Sequence, residues 1–238
     1  MALNQDLAPV LVAVAHGTRD EAGLAVLGAL AGLVRSSAPE LAVEWCFVDV
    51  AEPSLAQTLA RPSGRPAVVV PVLLSTGYHV RTDIPAVVRA SPATVTVTEP
   101  IGPDVRLTAV VAARLAEAGG ASGSDVLLVS AGSSDPAARE QLASVATELG
   151  RVSGRTVRIA QLTEADPFAG VTPGTAVANY LLAPGFFDRK LRQLAAAAGC
   201  GPVAEPIGAH PGVAALILDR YRAGAALVAP AAGDSVEE

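Results

Sequence analysis

The sequence predicts an α/β fold made of two similar halves, each a doubly wound parallel sheet, that face a central cleft. Three observations lead to this prediction. Short apolar runs alternate with helical patterns, parts of this series recur in the second half of the chain, and a Gly/Ser-rich stretch separates the two copies. Strands that alternate with helices are typical of a parallel sheet covered on both faces. A block that recurs in the same order indicates a duplicated unit.

The first half is predicted to contain four strands, each followed by a helix. The strands are expected at 11–15, 41–50, 67–74 and 94–98, and the helices at 21–37, after Pro53, through Val87 and at 104–117. Leu27, Leu30 and Val34 recur at helical spacing in the first helix, and Asp20 is its expected N-cap. The uninterrupted apolar run at 11–15 is typical of a central strand that is buried on both faces.

Three segments of the first half recur after a predicted flexible linker, GGASGS at 119–124. The strand and turn ending in HGTRD at 16–20 match AGSSD at 131–135, residues 73–80 match 181–188, and EPIG at 99–102 recurs at 205–208. We therefore expect halves at 1–118 and 125–224 and a flexible tail at 225–238. In the second copy Ala131 stands in the place of His16, and Phe187 in that of His79.

The composition restricts the classes of partner. The 238 residues are 3% aromatic and carry a formal net charge of −6, so neither a stacking platform nor a basic footprint for nucleic acid is expected. No long uncharged apolar segment and no secretory signal is apparent, which predicts a cytoplasmic protein without a membrane span. Cys46 and Cys200 lie in no metal-binding motif and are expected to be reduced thiols in the core.

Two of the three histidines, His16 and His79, follow predicted strands. Because the carboxyl ends of parallel strands meet at one edge of a sheet, where such folds bind ligands, we expect both side chains to face one cleft. Neutral imidazole binds divalent Fe, Co, Ni and Zn ions and accepts protons near neutral pH. The alternative is a purely structural pair at two strand ends. The third histidine, His210, is expected to begin a helix.

Charged residues accompany both histidines. Asp49 ends the second strand, and Asp83 lies four residues after His79, on the same face if that segment is helical. Each is a candidate for carboxylate support of metal chemistry, with helix capping as the alternative, and for Asp83 capping or orienting His79 is the favoured role. Arg19 and Arg81 are candidates for binding carboxylates of a ligand, or else solvated loop residues.

Several common motifs are absent from the chain. It has no GxGxxG after a strand and no GxxxxGK[ST], so dinucleotide and triphosphate binding lack a signature. HGTR at 16–19 resembles the motif of histidine phosphatases, but Ala15 stands where that motif has a phosphate-binding arginine. Phosphatase chemistry is therefore a minor alternative.

Three segments together resemble the sirohydrochlorin chelatase family of class II chelatases, with its CbiX-type cobaltochelatases and SirB-type ferrochelatases. They are AHGTRD at 15–20, FVDVAEPS at 47–54, and the run from PVLL at 71–74 through GYH at 77–79 to DIP at 83–85. Through the repeat, the resemblance extends over essentially the whole chain. It implies two fused chelatase-like halves with the paired histidines at the site. Asp49 stands where many members have a glutamate.

The resemblance implies a lyase that inserts a divalent metal into sirohydrochlorin, with His16 and His79 binding the metal and accepting the pyrrole protons. Fe²⁺, which gives siroheme, is favoured because a stand-alone long form suits that pathway. Insertion of Co²⁺ for cobalamin biosynthesis is one alternative, and a non-catalytic metal or tetrapyrrole carrier is another. The metal is a substrate, and no tightly bound cofactor is expected.

A tetrapyrrole is flat and apolar, with acidic arms. We expect Leu74, Tyr78 and Phe187 to contact its faces, and Arg19 and Arg81 to bind its carboxylates. The sequence does not indicate an oligomeric state.

Overall fold

The computed structural model describes residues 8–61, 65–120 and 125–228 and contains two parallel sheets. The first sheet has the order β2-β1-β3-β4, with β1 (Val10–Ala15), β2 (Val43–Phe47), β3 (Ala67–Val72) and β4 (Val95–Val97). The second has the order β6-β5-β7, with β5 (Val126–Ser130), β6 (Val157–Gln161) and β7 (Ala176–Tyr180). The predicted α/β class is confirmed. Most of the predicted linker and tail, residues 121–124 and 229–238, lies outside the described residues.

Seven α-helices accompany these strands in the described part of the chain, five of them between strands and two after β7. They are α1 (Glu21–Ser37), α2 (Leu55–Leu59), α3 (Ile84–Ala90), α4 (Val105–Glu117), α5 (Pro136–Ser153), α6 (Phe186–Ala197) and α7 (Pro211–Leu227). Asp20 caps α1 by accepting hydrogen bonds from the backbone amides of Ala22 and Gly23, as predicted. His210 is the N-cap of α7, which confirms its predicted position at a helix start. Since α7 continues to Leu227, residues 225–227 of the predicted tail are helical.

The duplication is visible in the strand register. β1 pairs in parallel with β2 and β3, just as β5 pairs with β6 and β7. In the first half Val69 of β3 also pairs with Val97 of β4. The second half keeps only the matching bridge between Val177 and Val203. The fourth strand is thus reduced to one bridge in the second copy.

The last helix of each half packs against the sheet of the other half. α4 lies against α5 and β7, whereas α7 lies against α1, β3 and β4. At Gly224 of α7 the approach is so close that a Cβ atom would lie 2.6 Å from Cγ1 of Val68 in β3. The sheet of each half is therefore partly buried by the last helix of the other half.

One hydrophobic core lies between the two sheets and is filled by α1, α4, α5 and α7. α2 and α3 cover the outer face of the first sheet, and α6 covers that of the second. The two repeats consequently share one core. The predicted boundaries of the halves, at residues 118 and 125, stay a prediction from the sequence repeat. Among the described residues, no helix combines the length and the apolar character needed to cross a bilayer.

Both cysteines are free thiols. Cys46 lies in the buried cluster between the first sheet and α2, and burial raises the pKa of its thiol to about 12. It therefore stays protonated and unreactive at neutral pH. Cys200 is partly exposed and packs beside α6.

Candidate functional site

The structure brings the two predicted histidines together at the carboxyl edge of the first sheet. His16 follows β1 directly, and His79 begins a single π-helical turn, His79–Asp83, after the neighbouring strand β3. The centroids of the two imidazole rings are 4.8 Å apart and the rings are inclined at 84°. Two imidazoles that ligate one ion through bonds of about 2.1 Å have centroids roughly 5 Å apart. The spacing of the pair therefore suits one shared ion.

The hydrogen bonds of the pair fix which ring nitrogens are available. Nδ1 of His79 lies 2.6 Å from Oδ2 of Asp83, and Nδ1 of His16 lies 3.3 Å from the carbonyl oxygen of Gly17. A carboxylate and a carbonyl oxygen only accept hydrogen bonds, so Nδ1 carries the proton in each neutral ring. Each Nε2 then presents its lone pair, which can bind a metal ion or accept a proton.

The π-helical turn places Asp83 beside His79. The turn is closed by a hydrogen bond from the backbone amide of Ile84 to the carbonyl oxygen of His79. The side chain of Ile84 is fully buried and anchors the turn. Asp83 makes no side-chain capping bond to α3, so of its two favoured roles it takes the contact with His79. A carboxylate on the second nitrogen of a histidine fixes the tautomer and the orientation of the ring. π-turns of this kind are frequent at functional sites.

The turn after His16 requires a glycine. Gly17 has a φ of +86°, and a Cβ atom there would lie 2.2 Å from the carbonyl oxygen of Asp49. The backbone amide of Asp49 also donates to the carbonyl oxygen of His16, at 3.3 Å. The loop after β2 is therefore packed directly against the histidine-bearing turn.

The carboxylate of Asp49 is exposed and accepts a hydrogen bond from the backbone amide of Val50, at 2.7 Å. Within the described ranges, no three His, Cys, Asp or Glu side chains are arranged to hold a metal ion. Asp49 therefore does not join the histidines in a ligand set, and its carboxylate support of the metal stays a prediction.

The two candidate arginines differ in their surroundings. Nε of Arg81 lies 2.8 Å from the carboxylate of Asp135, a residue of the second half. Arg81 therefore contacts a protein carboxylate, because its turn lies at the contact between the halves, and a contact of Arg81 with substrate carboxylates stays a prediction. Arg19 is exposed and forms no ion pair with any described residue, so it alone of the two has an unengaged guanidinium.

A second ion pair, which the sequence reasoning missed, repeats the first one. Arg189 of the second half pairs with Asp20 of the first half. Arg189 corresponds to Arg81, and Asp20 corresponds to Asp135, so the two bridges are related by the duplication. The signal was present as an arginine four residues after Gly77 and Gly185. The hydrogen bond from Arg189 holds the pKa of Asp20 below its usual 3.8.

The three predicted apolar contacts lie in different environments. Leu74 is half-buried against the central core, and its carbonyl oxygen accepts a hydrogen bond from the hydroxyl of Tyr180 at 3.2 Å. Tyr78 is exposed, with its ring centroid 6.4 Å from that of His79. Phe187 packs into the outer cluster of the second sheet, and its neighbour Phe186 is the exposed ring instead. α6 turns residue 187 inward, so a substrate contact by Phe187 stays a prediction that its packing does not favour.

Comparison with known proteins finds similarity in the first half of the sequence and in the fold of the whole chain. The CbiX family model matches residues 10–118. A curated relative, a sirohydrochlorin ferrochelatase from Priestia megaterium, is 29% identical over 173 residues, which are 68% of this chain and 65% of the relative. The match thus spans slightly less than two thirds of that relative's length.

Two solved structures share the fold over most of their length. The sirohydrochlorin chelatase SirB from Bacillus subtilis subspecies spizizenii, in complex with cobalt, has a TM-score of 0.76 at 24% identity and covers 92% of this chain and 96% of its own. SirB from Bacillus subtilis with Fe³⁺ has a TM-score of 0.73 at 25% identity and covers 93% of this chain and 97% of its own. The first half of the chain therefore matches the CbiX family model, and both halves together share the fold of the SirB chelatases.

Proposed function

We propose that the chain is a sirohydrochlorin chelatase, which inserts a divalent metal ion into the tetrapyrrole, and that His16 and His79 carry out the insertion. The observation that carries the proposal is the pairing of the two imidazoles, 4.8 Å apart, at the edge of the sheet. Neither Nε2 atom has a hydrogen-bond partner among the described residues. Both are therefore available to an incoming ion.

Metal insertion makes two chemical demands. The ion must exchange its water ligands for pyrrole nitrogens, and two pyrrole N–H protons must leave. Two imidazoles hold the ion and leave the rest of its coordination open to the tetrapyrrole. Once the ion has moved into the ring, each freed Nε2 can accept one of the two protons. Asp83 holds the His79 ring in place through its contact with Nδ1.

We infer that Fe²⁺ is the physiological metal. The curated relative is a sirohydrochlorin ferrochelatase, which supports iron, whereas one SirB structure holds cobalt. Two imidazoles bind both ions, so the ligand set does not discriminate between them. Insertion rates measured anaerobically with Fe²⁺, Co²⁺ and Ni²⁺ side by side test the choice. A cobalt rate that exceeds the iron rate would instead favour a cobaltochelatase of cobalamin biosynthesis.

The activity is tested by following the absorbance of sirohydrochlorin after addition of Fe²⁺. We expect His16→Ala and His79→Ala each to lower the insertion rate about 10²- to 10⁴-fold, because each removes a metal ligand and a proton acceptor. His210→Asn is the matched control. It replaces the third histidine by another good N-cap of α7, and the rate should stay within about twofold of the wild type.

Two outcomes separate the alternatives. Folded His16→Ala and His79→Ala proteins that insert metal at the wild-type rate would overturn the assigned roles. A wild-type protein that binds sirohydrochlorin or metal, but gives no rate above the uncatalysed reaction, would be a carrier.

A further inference from the structure

We propose that Phe186 is a second aromatic contact for the tetrapyrrole, the counterpart in the second half of Tyr78 in the first. The inference rests on the proposed function, because it concerns the ligand of the same edge.

The exposure of the aromatic side chains is the first argument. The chain has only four Phe, three Tyr and one Trp. Five of these eight are buried: Trp45, Phe47, Phe168, Tyr180 and Tyr221. Phe187 is half-buried, and only Tyr78 (61% exposed) and Phe186 (67% exposed) face solvent. A chain so poor in aromatic residues leaves two of them out of its core, and both lie at the carboxyl edge of a sheet.

The duplication is the second argument. Gly77, Tyr78 and His79 after β3 correspond to Gly185, Phe186 and Phe187 after β7. In both copies the first ring is exposed and the second is more buried. The two rings of each copy are inclined at 74°, with centroids 6.4 Å apart in the first copy and 5.3 Å apart in the second. The second copy lacks the imidazole, yet it has an exposed ring at the corresponding position, with the same inclination to its neighbour.

The contacts between the halves place the turns that carry Tyr78 and Phe186 beside the histidine-bearing loops. Three residues after Tyr78, Arg81 pairs with Asp135 of the second half. Three residues after Phe186, Arg189 pairs with Asp20, which lies four residues after His16. The turn that carries Phe186 also approaches the His16 loop directly, since a Cβ atom at Gly185 would lie 3.2 Å from Oγ1 of Thr18. One exposed ring therefore neighbours each histidine-bearing loop.

The chemistry of the expected ligand fits two exposed rings. Sirohydrochlorin is a flat conjugated macrocycle, and aromatic side chains stack on flat π-systems in offset or edge-on geometry. Its carboxylate arms need cations at the rim. Arg19, exposed and without an ion pair in the described chain, lies on the same loop as Asp20 and supplies one. We commit to the tetrapyrrole as the occupant of this surface.

Binding of metal-free sirohydrochlorin, measured by fluorescence titration, tests the inference. We expect Phe186→Ala to raise Kd and KM about tenfold and to change kcat little, because stacking on one ring is worth about that factor. Phe186→Tyr restores the residue type of the first copy and should stay within about twofold of the wild type. Val152→Ala, at an exposed apolar residue of α5, is the control for general loss of surface hydrophobicity.

Each other outcome identifies what has failed. An unchanged Kd in Phe186→Ala overturns the inference, as does a Phe186→Tyr protein that is as weak as Phe186→Ala. A change in sedimentation with unchanged Kd would assign Phe186 to an interface between copies of this chain and would also overturn it. Failure of the proposed function itself would show in the wild-type protein, which would then insert no metal.

Discussion

The turns after β1 and β5 can be compared residue by residue. Gly17 and Gly132 both adopt a positive φ, of +86° and +103°, and in each copy an aspartate four residues after the strand-end position caps the next helix. At the strand end itself the first copy has His16, whose ring is exposed beside His79. The second has Ala131, which packs into the outer apolar cluster.

The turns after β3 and β7 repeat this difference. Each carries an exposed aromatic residue and an arginine that pairs with an aspartate of the other half. Only the first has a histidine between them. The scaffold is therefore retained in both copies because glycine turns, caps and ion pairs hold the loops together. The paired imidazoles are confined to the first copy, and residues of the second copy form ion pairs with the loops of the first.

The strongest way to break the comparison is to give the first copy the residues of the second. In the double variant His16→Ala/His79→Phe the metal-insertion rate should fall about 10²- to 10⁴-fold or more, since both Nε2 atoms are gone. Its free energy of unfolding should change by at most about 1 kcal/mol, because neither imidazole is buried. Insertion kinetics and urea unfolding check the two statements. Retention of more than a tenth of the activity would contradict the account.

The second copy has no histidine for a carboxylate to orient. The importance of Asp83 in the first copy should therefore be specific to the chemistry. Asp83→Ala removes both the charge and the acceptor at Nδ1 of His79, and we expect roughly a 10- to 100-fold loss of metal affinity or activity. Asp83→Asn can still accept the hydrogen bond through its amide oxygen and should lose less. Metal titrations of both variants measure the difference. Equal losses in the two would show that the hydrogen bond is unimportant.

The two glycine turns give a matched pair of substitutions. Gly17→Ala would bring a Cβ atom to 2.2 Å from the backbone oxygen of Asp49, which cannot move away without distorting the loop that follows β2. In Gly132→Ala the nearest atom is Oγ1 of Thr163, at 2.1 Å, and this side chain can rotate. Both variants should lose about 1–3 kcal/mol of stability through backbone strain.

Only Gly17→Ala should also impair metal insertion, since it displaces His16. Thermal unfolding and insertion rates, measured on both alanine variants, make the comparison. Equal activity in the two variants would show that the position of His16 does not depend on this turn.

The smallest expected effect concerns the ion pair between Arg189 and Asp20. Its hydrogen bond lowers the pKa of Asp20 below 3.8, so the pair stabilises the folded state fully above that value and is lost as the pH falls through the lowered pKa. In Arg189→Met the pKa of Asp20 should return towards 3.8. A carbon-detected NMR titration of the Asp20 carboxyl measures it. An unchanged pKa would mean that the pair does not form in solution.

Local signals in the sequence predicted much of the scaffold. Asp20 and the spacing of Leu27, Leu30 and Val34 fix α1, and the apolar run that includes Ala15 fixes β1, because caps and periodicity act over a few residues. The meeting of His16 and His79 also followed from the rule that parallel strands end at one edge.

The remaining features depend on tertiary packing. Arg81 meets Asp135 only because the two halves are in contact, and no local pattern shows that pairing. Which of Phe186 and Phe187 is exposed depends on how α6 lies on its sheet. The exchange of α4 and α7 between the sheets was equally hidden, since an amphipathic helix can bury its apolar face on either copy.

The central claim is that Nε2 of His16 and Nε2 of His79 share the incoming metal ion. Crystals of this chain soaked with Co²⁺ test it through the anomalous difference map. We predict one peak between the two rings, about 2.1 Å from each Nε2 atom, and its disappearance in His79→Ala crystals. A principal peak elsewhere in the chain, or one that persists unchanged in His79→Ala, would contradict the account.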